Sequence, residues 1–168
     1  MSHSFPETVM LPIRSTSFRW AAALMLLPAL AACGDDPLGP QYPEDTTFAA
    51  SLEIDLDQMT RLESGVYIQT LQAGEGDPVA AGTITVGYTL WIPDGTELQN
   101  GSFAFPIGEG AVIQGFELGV LGMRVGEIRK LVIPSELGYG NNPPSGSGIP
   151  KHSVLIFSVQ LISVAESA

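Results

Sequence analysis

The stretch Val112-Ile113-Gln114-Gly115-Phe116-Glu117-Leu118-Gly119-Val120-Leu121-Gly122-Met123-Arg124-Val125-Gly126 decides the fold. Within it Ile113, Phe116, Val120 and Leu121 recur at i, i+3, i+7 and i+8, the period of one helical face, and Gly122 supplies a C-terminal stop. The spacing predicts a helix over Gln114–Leu121, barely two turns long. So short a helix is marginal in water, and Gly115 and Gly119 each disfavour it by about 1 kcal/mol relative to alanine. It persists only if its apolar stripe packs on a sheet.

The flanking sequence supplies that sheet. On the N-terminal side, Val66–Leu71 reads as a short strand and Ala73–Pro78 as a turn cluster. Thr83–Ile92 is the clearest strand, with Ile84, Val86, Tyr88, Leu90 and Ile92 forming an apolar face at period two before Pro93-Asp94-Gly95 ends it. Phe103 and Phe105 alternate with small residues until Gly108 and Gly110 break the run. On the C-terminal side, Ile128–Ile133 is a strand, Pro134–Lys151 a long Gly/Pro/Ser-rich loop, and Ser153–Val164 a final strand with Leu155, Phe157, Val159 and Leu161 on one face. These elements imply one antiparallel α+β domain, a curved sheet around one short helix, over residues 65–168. Upstream, Phe48–Ser64 fits a strand through Leu52, Ile54 and Leu56 and a helix through Phe48, Leu52, Leu56 and Met59, and both readings stay open.

The beginning of the chain carries an address. Arg14 and Arg19 precede the apolar run Trp20–Leu30, which is followed by the small residues Ala31 and Ala32 and then by Cys33, the only cysteine. That is the layout of a removed secretory signal over residues 1–32, and the run is too short for the roughly 20 residues of a membrane span. Leu30-Ala31-Ala32-Cys33 resembles the bacterial lipobox, so Cys33 is expected to be lipidated and to hold the protein on a membrane in the cell envelope, outside the cytoplasm. Removing residues 1–32 takes away Arg14, Arg19 and Glu7 and leaves five basic against 17 acidic residues, a net charge of −12. Such a surface repels nucleic acid. Residues 33–64 are read as an acidic, proline-containing tether, with Gly34–Thr47 extended and disordered.

The reactive inventory is thin. The single cysteine is committed to lipid, and His3 lies in the signal, which leaves His152 as the one histidine of the mature chain. No metal cluster and no Cys/His nucleophile pair can be assembled from these residues. The glycines of Pro134–Lys151 match no phosphate-cradling spacing before a helix. No cofactor or metal is expected. What remains is a surplus of aromatic and branched residues near glycines and loop ends: Tyr88, Phe103, Phe105, Val112, Ile113, Phe116, Tyr139, Ile149 and Phe157.

Their order and spacing, with Val112–Gly126 at the centre, closely resemble the signature of the FKBP-type peptidyl-prolyl cis-trans isomerases. Tyr88-Thr89, Asp94-Gly95-Thr96, Tyr139-Gly140, Ile149-Pro150 and Leu155-Ile156-Phe157 follow the same pattern, so that the likeness spans about Gly65 to Val164. The resemblance implies a half-barrel sheet wrapped on a short helix, with a shallow apolar pocket for a proline ring. It implies catalytic positions at Tyr88, Phe103, Ile113, Phe116, Tyr139 and Phe157, with Phe116 as pocket floor, and substrate-binding positions at Leu98, Gln99, Val112 and Ile149. The Ile113 backbone N–H and the Tyr139 hydroxyl match groups that hold substrate carbonyls in the family.

No covalent step is needed for such a reaction, because the barrier of about 18–20 kcal/mol is that of breaking amide resonance. The planar amide is more dipolar than the twisted one, so an apolar pocket favours the twisted state relative to the planar one. Three departures stand out: Phe116 replaces the usual tryptophan floor, Leu98 a wall phenylalanine and Gln99 a pocket aspartate. Asn141–Gly148 is also slightly longer than in small family members. The expected partners are proline-containing, unfolded or partly folded exported polypeptides and, through lipid on Cys33, a membrane; a monomer is expected. Two rival readings are a proline-peptide-binding chaperone with weak turnover and an acidic envelope scaffold whose aromatics are only core.

Overall fold

Along Thr83–Leu90 the residues Ile84, Val86, Tyr88 and Leu90 share one face, whereas Leu131–Ile133 and Leu155–Phe157 are buried on both faces because each face of the sheet is covered there. The computed structural model describes residues 39–165, all within the unit that runs from Cys33 to Ala168. The strands are β1 (Thr60–Arg61), β2 (Tyr67–Gln72), β3 (Thr83–Trp91), β4 (Glu97–Pro106), β5 (Ile128–Ile133) and β6 (Leu155–Ala165), and the helix α1 (Gln114–Val120) lies between β4 and β5. All pairings are antiparallel, in the order β1-β2-β5-β6-β3-β4.

On the inner face Ile84, Val86, Leu90, Phe105, Leu131, Ile133, Leu155, Phe157, Val159 and Leu161 form one buried cluster with Phe116 and Val120 of α1. The two helix glycines count against the helix by propensity and are required by its packing. A Cβ at Gly119 would stand 2.7 Å from Leu131 Cδ1, and one at Gly115 would overlap Ile133 Cγ2. Glycine thus lets α1 lie directly on β5, and the burial this permits outweighs the propensity lost. Gly122 follows with φ of +75° and turns the chain away.

On the outer face a row of opposed residues, Tyr67, Val132, Ile156 and Trp91, crosses β2, β5, β6 and β3. Residues 41–59 cover that row, with Phe48, Leu52, Ile54, Leu56 and Met59 packed on it. The ambiguous segment Phe48–Ser64 is neither of the two regular elements: it makes 3₁₀ turns at Ala50–Leu52 and Leu56–Gln58 and then the two-residue β1. The expectation of an extended, disordered tether is corrected over residues 41–47. Gln41 is hydrogen-bonded to Ser135, Pro43 is buried, and the Glu44 carboxylate accepts from Arg61 Nε at 3.0 Å and Tyr67 Oη at 2.8 Å. Burial alone would raise the Glu44 pKa, but its own backbone N–H, Tyr67 and Arg61 outweigh burial and hold it below the usual value. The proposed lipid site Cys33, the signal and the first residues of the tether lie outside the described residues.

Candidate active site

Tyr88, Leu90, Gln99, Phe103, Ala111, Val112, Ile113, Phe116, Tyr139 and Phe157 line one pocket of about 150 Å³ at the mouth of the sheet. Phe116, 2% exposed, is at its bottom, held edge-on to Phe157 with ring centroids 5.1 Å apart. Tyr88 meets Phe103 edge-on at 5.3 Å, and Phe103 lies 6.0 Å from Phe116, so the rings form a continuous wall. Such contacts stiffen the lining because each ring is fixed by two others.

Each side chain is brought there by an identifiable device. Strand alternation aims Tyr88 and Leu90 of β3 and Phe157 of β6 at the same face, and Phe157 is opposite Leu90 in register. Phe103 comes from β4, opposite Val86. Ile113 caps α1 in an extended conformation, and its carbonyl accepts from Phe116 N–H at 3.0 Å and Glu117 N–H at 3.2 Å. The Glu117 carboxylate in turn accepts from Gly108 N–H, tying the preceding loop to the helix. At the other end of α1, the Arg129 guanidinium donates to the carbonyls of Gly119 at 2.9 Å and Leu121 at 3.0 Å. Arg129 is paired with Glu127 at 2.7 Å, and both are buried. The helix that carries Phe116 is therefore pinned at both ends.

Tyr139 comes from the loop after β5. There the Ser135 carbonyl accepts from Gly138 N–H at 3.1 Å and Gly140 N–H at 2.9 Å, two bonds that bracket Tyr139. Burial, and to a lesser degree the neighbouring Tyr88, push the Tyr139 hydroxyl above its ordinary pKa, so that it remains a protonated donor at neutral pH. His152 stands apart from the pocket lining and supports the same loop, donating its backbone N–H to Gly140 O at 2.7 Å.

Eight of the ten pocket residues expected from sequence line this cavity: Tyr88, Gln99, Phe103, Val112, Ile113, Phe116, Tyr139 and Phe157. The other two, Leu98 and Ile149, line an adjoining groove of about 510 Å³ with Pro144, Ser145, Gly146 and Ser147, and that groove shares Leu90, Gln99 and Tyr139 with the pocket. Leu98 is displaced because it is the extra residue of a bulge between the pairs Leu90–Gln99 and Trp91–Glu97. Leu90 and Ala111 belong to the lining and were not among the expected residues. Leu90 is two residues from Tyr88, hence on the same face, which is a signal that strand period offers; Ala111 carries none.

Comparison with known proteins agrees with this geometry. Residues 74–162 match the family model described as FKBP-type peptidyl-prolyl cis-trans isomerase. The FK506-binding protein of Neisseria meningitidis serogroup B is 42% identical over 108 residues, which cover 61% of this chain and 98% of that protein. Human peptidyl-prolyl cis-trans isomerase FKBP2 is 49% identical over 84 residues, 46% of this chain and 57% of that one. The crystal structure of AtFKBP13 superposes with a TM-score of 0.57 at 30% identity and covers 64% of this chain and 98% of that one. The chain belongs to the FKBP-type peptidyl-prolyl cis-trans isomerase family. Its enzyme class is accordingly that of a prolyl isomerase, carried on an antiparallel six-stranded sheet curved around one short helix.

Proposed function

We propose that this isomerase accelerates rotation about X–Pro bonds in exported, unfolded or partly folded polypeptides, by desolvation in the aromatic pocket and without a covalent step. The observation that carries the reading is the enclosure of about 150 Å³ by Tyr88, Phe103, Phe116, Tyr139 and Phe157, with no carboxylate in its lining. A proline ring seated on Phe116 leaves water behind, and the planar, more dipolar amide loses more solvation than the twisted one. The Tyr139 hydroxyl and the Ile113 N–H, ahead of the first turn of α1, then hold the flanking carbonyls. Lipidation at Cys33 places the enzyme on a membrane outside the cytoplasm. Since Gln41 is docked on the domain, seven residues, 34–40, separate it from Cys33, and seven residues span at most about 25 Å.

A protease-coupled assay on a short X–Pro peptide tests this. Tyr139→Phe is expected to lower kcat/KM about fivefold, the worth of one hydrogen bond of about 1 kcal/mol, and Phe116→Ala to lower it further. A wild-type rate no greater than that of Phe116→Ala contradicts the reading.

A second reading, a proline-peptide-binding chaperone with weak turnover, is favoured by Gln99, an uncharged group in the lining where the family resemblance implies an aspartate. The two part on Gln99→Asp. If the missing charge limits turnover, this substitution raises kcat several-fold with KM little changed; an unchanged kcat removes that argument for the chaperone.

A further inference from the structure

The acidic segment before the domain reaches the loop that carries Tyr139. The Gln41 N–H donates to Ser135 Oγ at 2.9 Å, and the Ser135 N–H donates to the Gln41 carbonyl at 3.1 Å, a reciprocal pair between residues 94 apart in sequence. Ser135 has no exposed surface. Its own carbonyl is the acceptor for Gly138 N–H and Gly140 N–H, so one residue joins the strap to the turn that presents Tyr139. Next along the loop, Leu137 packs close to Gly115, one residue from the pocket floor Phe116. The strap itself is fixed at three further points: the buried Pro43, the Glu44 carboxylate on Arg61 and Tyr67, and Ala49 N–H on Pro93 O at 2.8 Å.

We propose that residues 41–49 are a positioning element of the isomerase, with the Gln41–Ser135 pair setting where Tyr139 stands over the pocket. This rests on the assignment of Tyr139 as the group that holds a substrate carbonyl. A buried serine hydroxyl with its acceptor function committed to a backbone N–H is rigid, and breaking it costs more than a surface hydrogen bond because the freed groups lose solvent as well as partner. The loop of residues 134–151 is long and glycine-rich; Leu137 on the inner core and His152 N–H on Gly140 O hold it from the domain side, and the Gln41 pair is the brace that fixes Ser135 itself. Loosening the brace lets the Tyr139 hydroxyl wander from the position it must hold in the transition state, and a displacement of about 1 Å is enough to lose rate.

Ser135→Ala removes the acceptor, and Gln41→Pro removes the donor at the other end without touching the loop. In the full-length protein each is expected to lower kcat/KM on an X–Pro peptide about fivefold. In a Tyr139→Phe background the same two substitutions are expected to have no further effect, because the group they position is gone. Equal losses in both backgrounds, or no loss with Tyr139 present, overturn the proposal. A readout independent of activity is the Tyr139 ring signal in NMR spectra: it shifts in both variants while Val159 and Leu161 methyl signals stay in place. An unmoved Tyr139 ring overturns the proposal even if the wild-type protein proves inactive, whereas an inactive wild type with a shifted ring defeats only the proposed catalysis.

Discussion

At the scale of single residues, the proposed isomerisation pocket is defined by what its side chains lack as much as by what they carry. Apart from Gln99 and the tyrosine hydroxyls, the lining side chains are apolar, so under the proposed mechanism the titrating group to follow is the Tyr139 hydroxyl. Burial raises the Tyr139 pKa above its ordinary value of 10.0, which extends the protonated range upward. The isomerisation rate is therefore expected to stay flat between about pH 6 and 9, and any decline to begin only above the ordinary tyrosine range. A rate that falls through pH 8–9 would show the hydroxyl to be more acidic than its surroundings allow. That Tyr88, Phe103, Phe116 and Tyr139 would line one pocket was legible because aromatic residues at family spacing are specific. Leu98 was legible by position but not by placement, because nothing in Glu97-Leu98-Gln99 announces a bulge.

At the scale of elements, α1 shows packing outweighing helix propensity. Gly119→Ala adds about 1 kcal/mol of helix propensity, yet its methyl would stand 2.7 Å from Cδ1 of the wholly buried Leu131. Overpacking of this kind costs about 1–3 kcal/mol, so the variant is expected to be less stable by about 1 kcal/mol, read as a lower urea midpoint with unchanged slope. A higher midpoint would mean that α1 does not lie so close to β5. Strands β3 and β6 were legible from an apolar face at period two, and β5 was read as a strand although Leu131-Val132-Ile133 breaks that alternation. The N-terminal half of β4 was not, since Glu97, Gln99, Asn100, Gly101 and Ser102 have low strand propensity and are held in the sheet by pairing with β3. Residues 41–59 were hidden for a different reason: their 3₁₀ turns at Pro43–Asp45, Ala50–Leu52 and Leu56–Gln58 follow neither of the two periods by which helices and strands are recognised.

For the whole molecule, the one-sidedness of the charge and the position of the strap belong together. Eight carboxylates, Asp35, Asp36, Glu44, Asp45, Glu53, Asp55, Asp57 and Glu63, lie between Cys33 and Gly65. By composition that distribution is a solvated tether, and nothing in it hints that Phe48, Leu52 and Met59 cover the outer face of the sheet. With residues 41–59 assigned to the domain, the proposed lipid on Cys33 would hold the pocket near the bilayer rather than far from it. Cys33→Ala is expected to move the protein from the membrane to the soluble fraction and leave peptide isomerisation intact, because no pocket residue lies near that end of the sequence. Retention on membranes by the variant would remove Cys33 as the anchor.

The aromatic pocket as the engine of isomerisation is the claim on which the rest depends. The most direct measurement is the rate of cis-to-trans conversion of one short X–Pro peptide, followed with wild type, Tyr139→Phe and Phe116→Ala under identical conditions after each is shown to be folded. A clear acceleration is expected from wild type, about fivefold less from Tyr139→Phe, and the least from Phe116→Ala. Equal rates for all three folded proteins would contradict the claim.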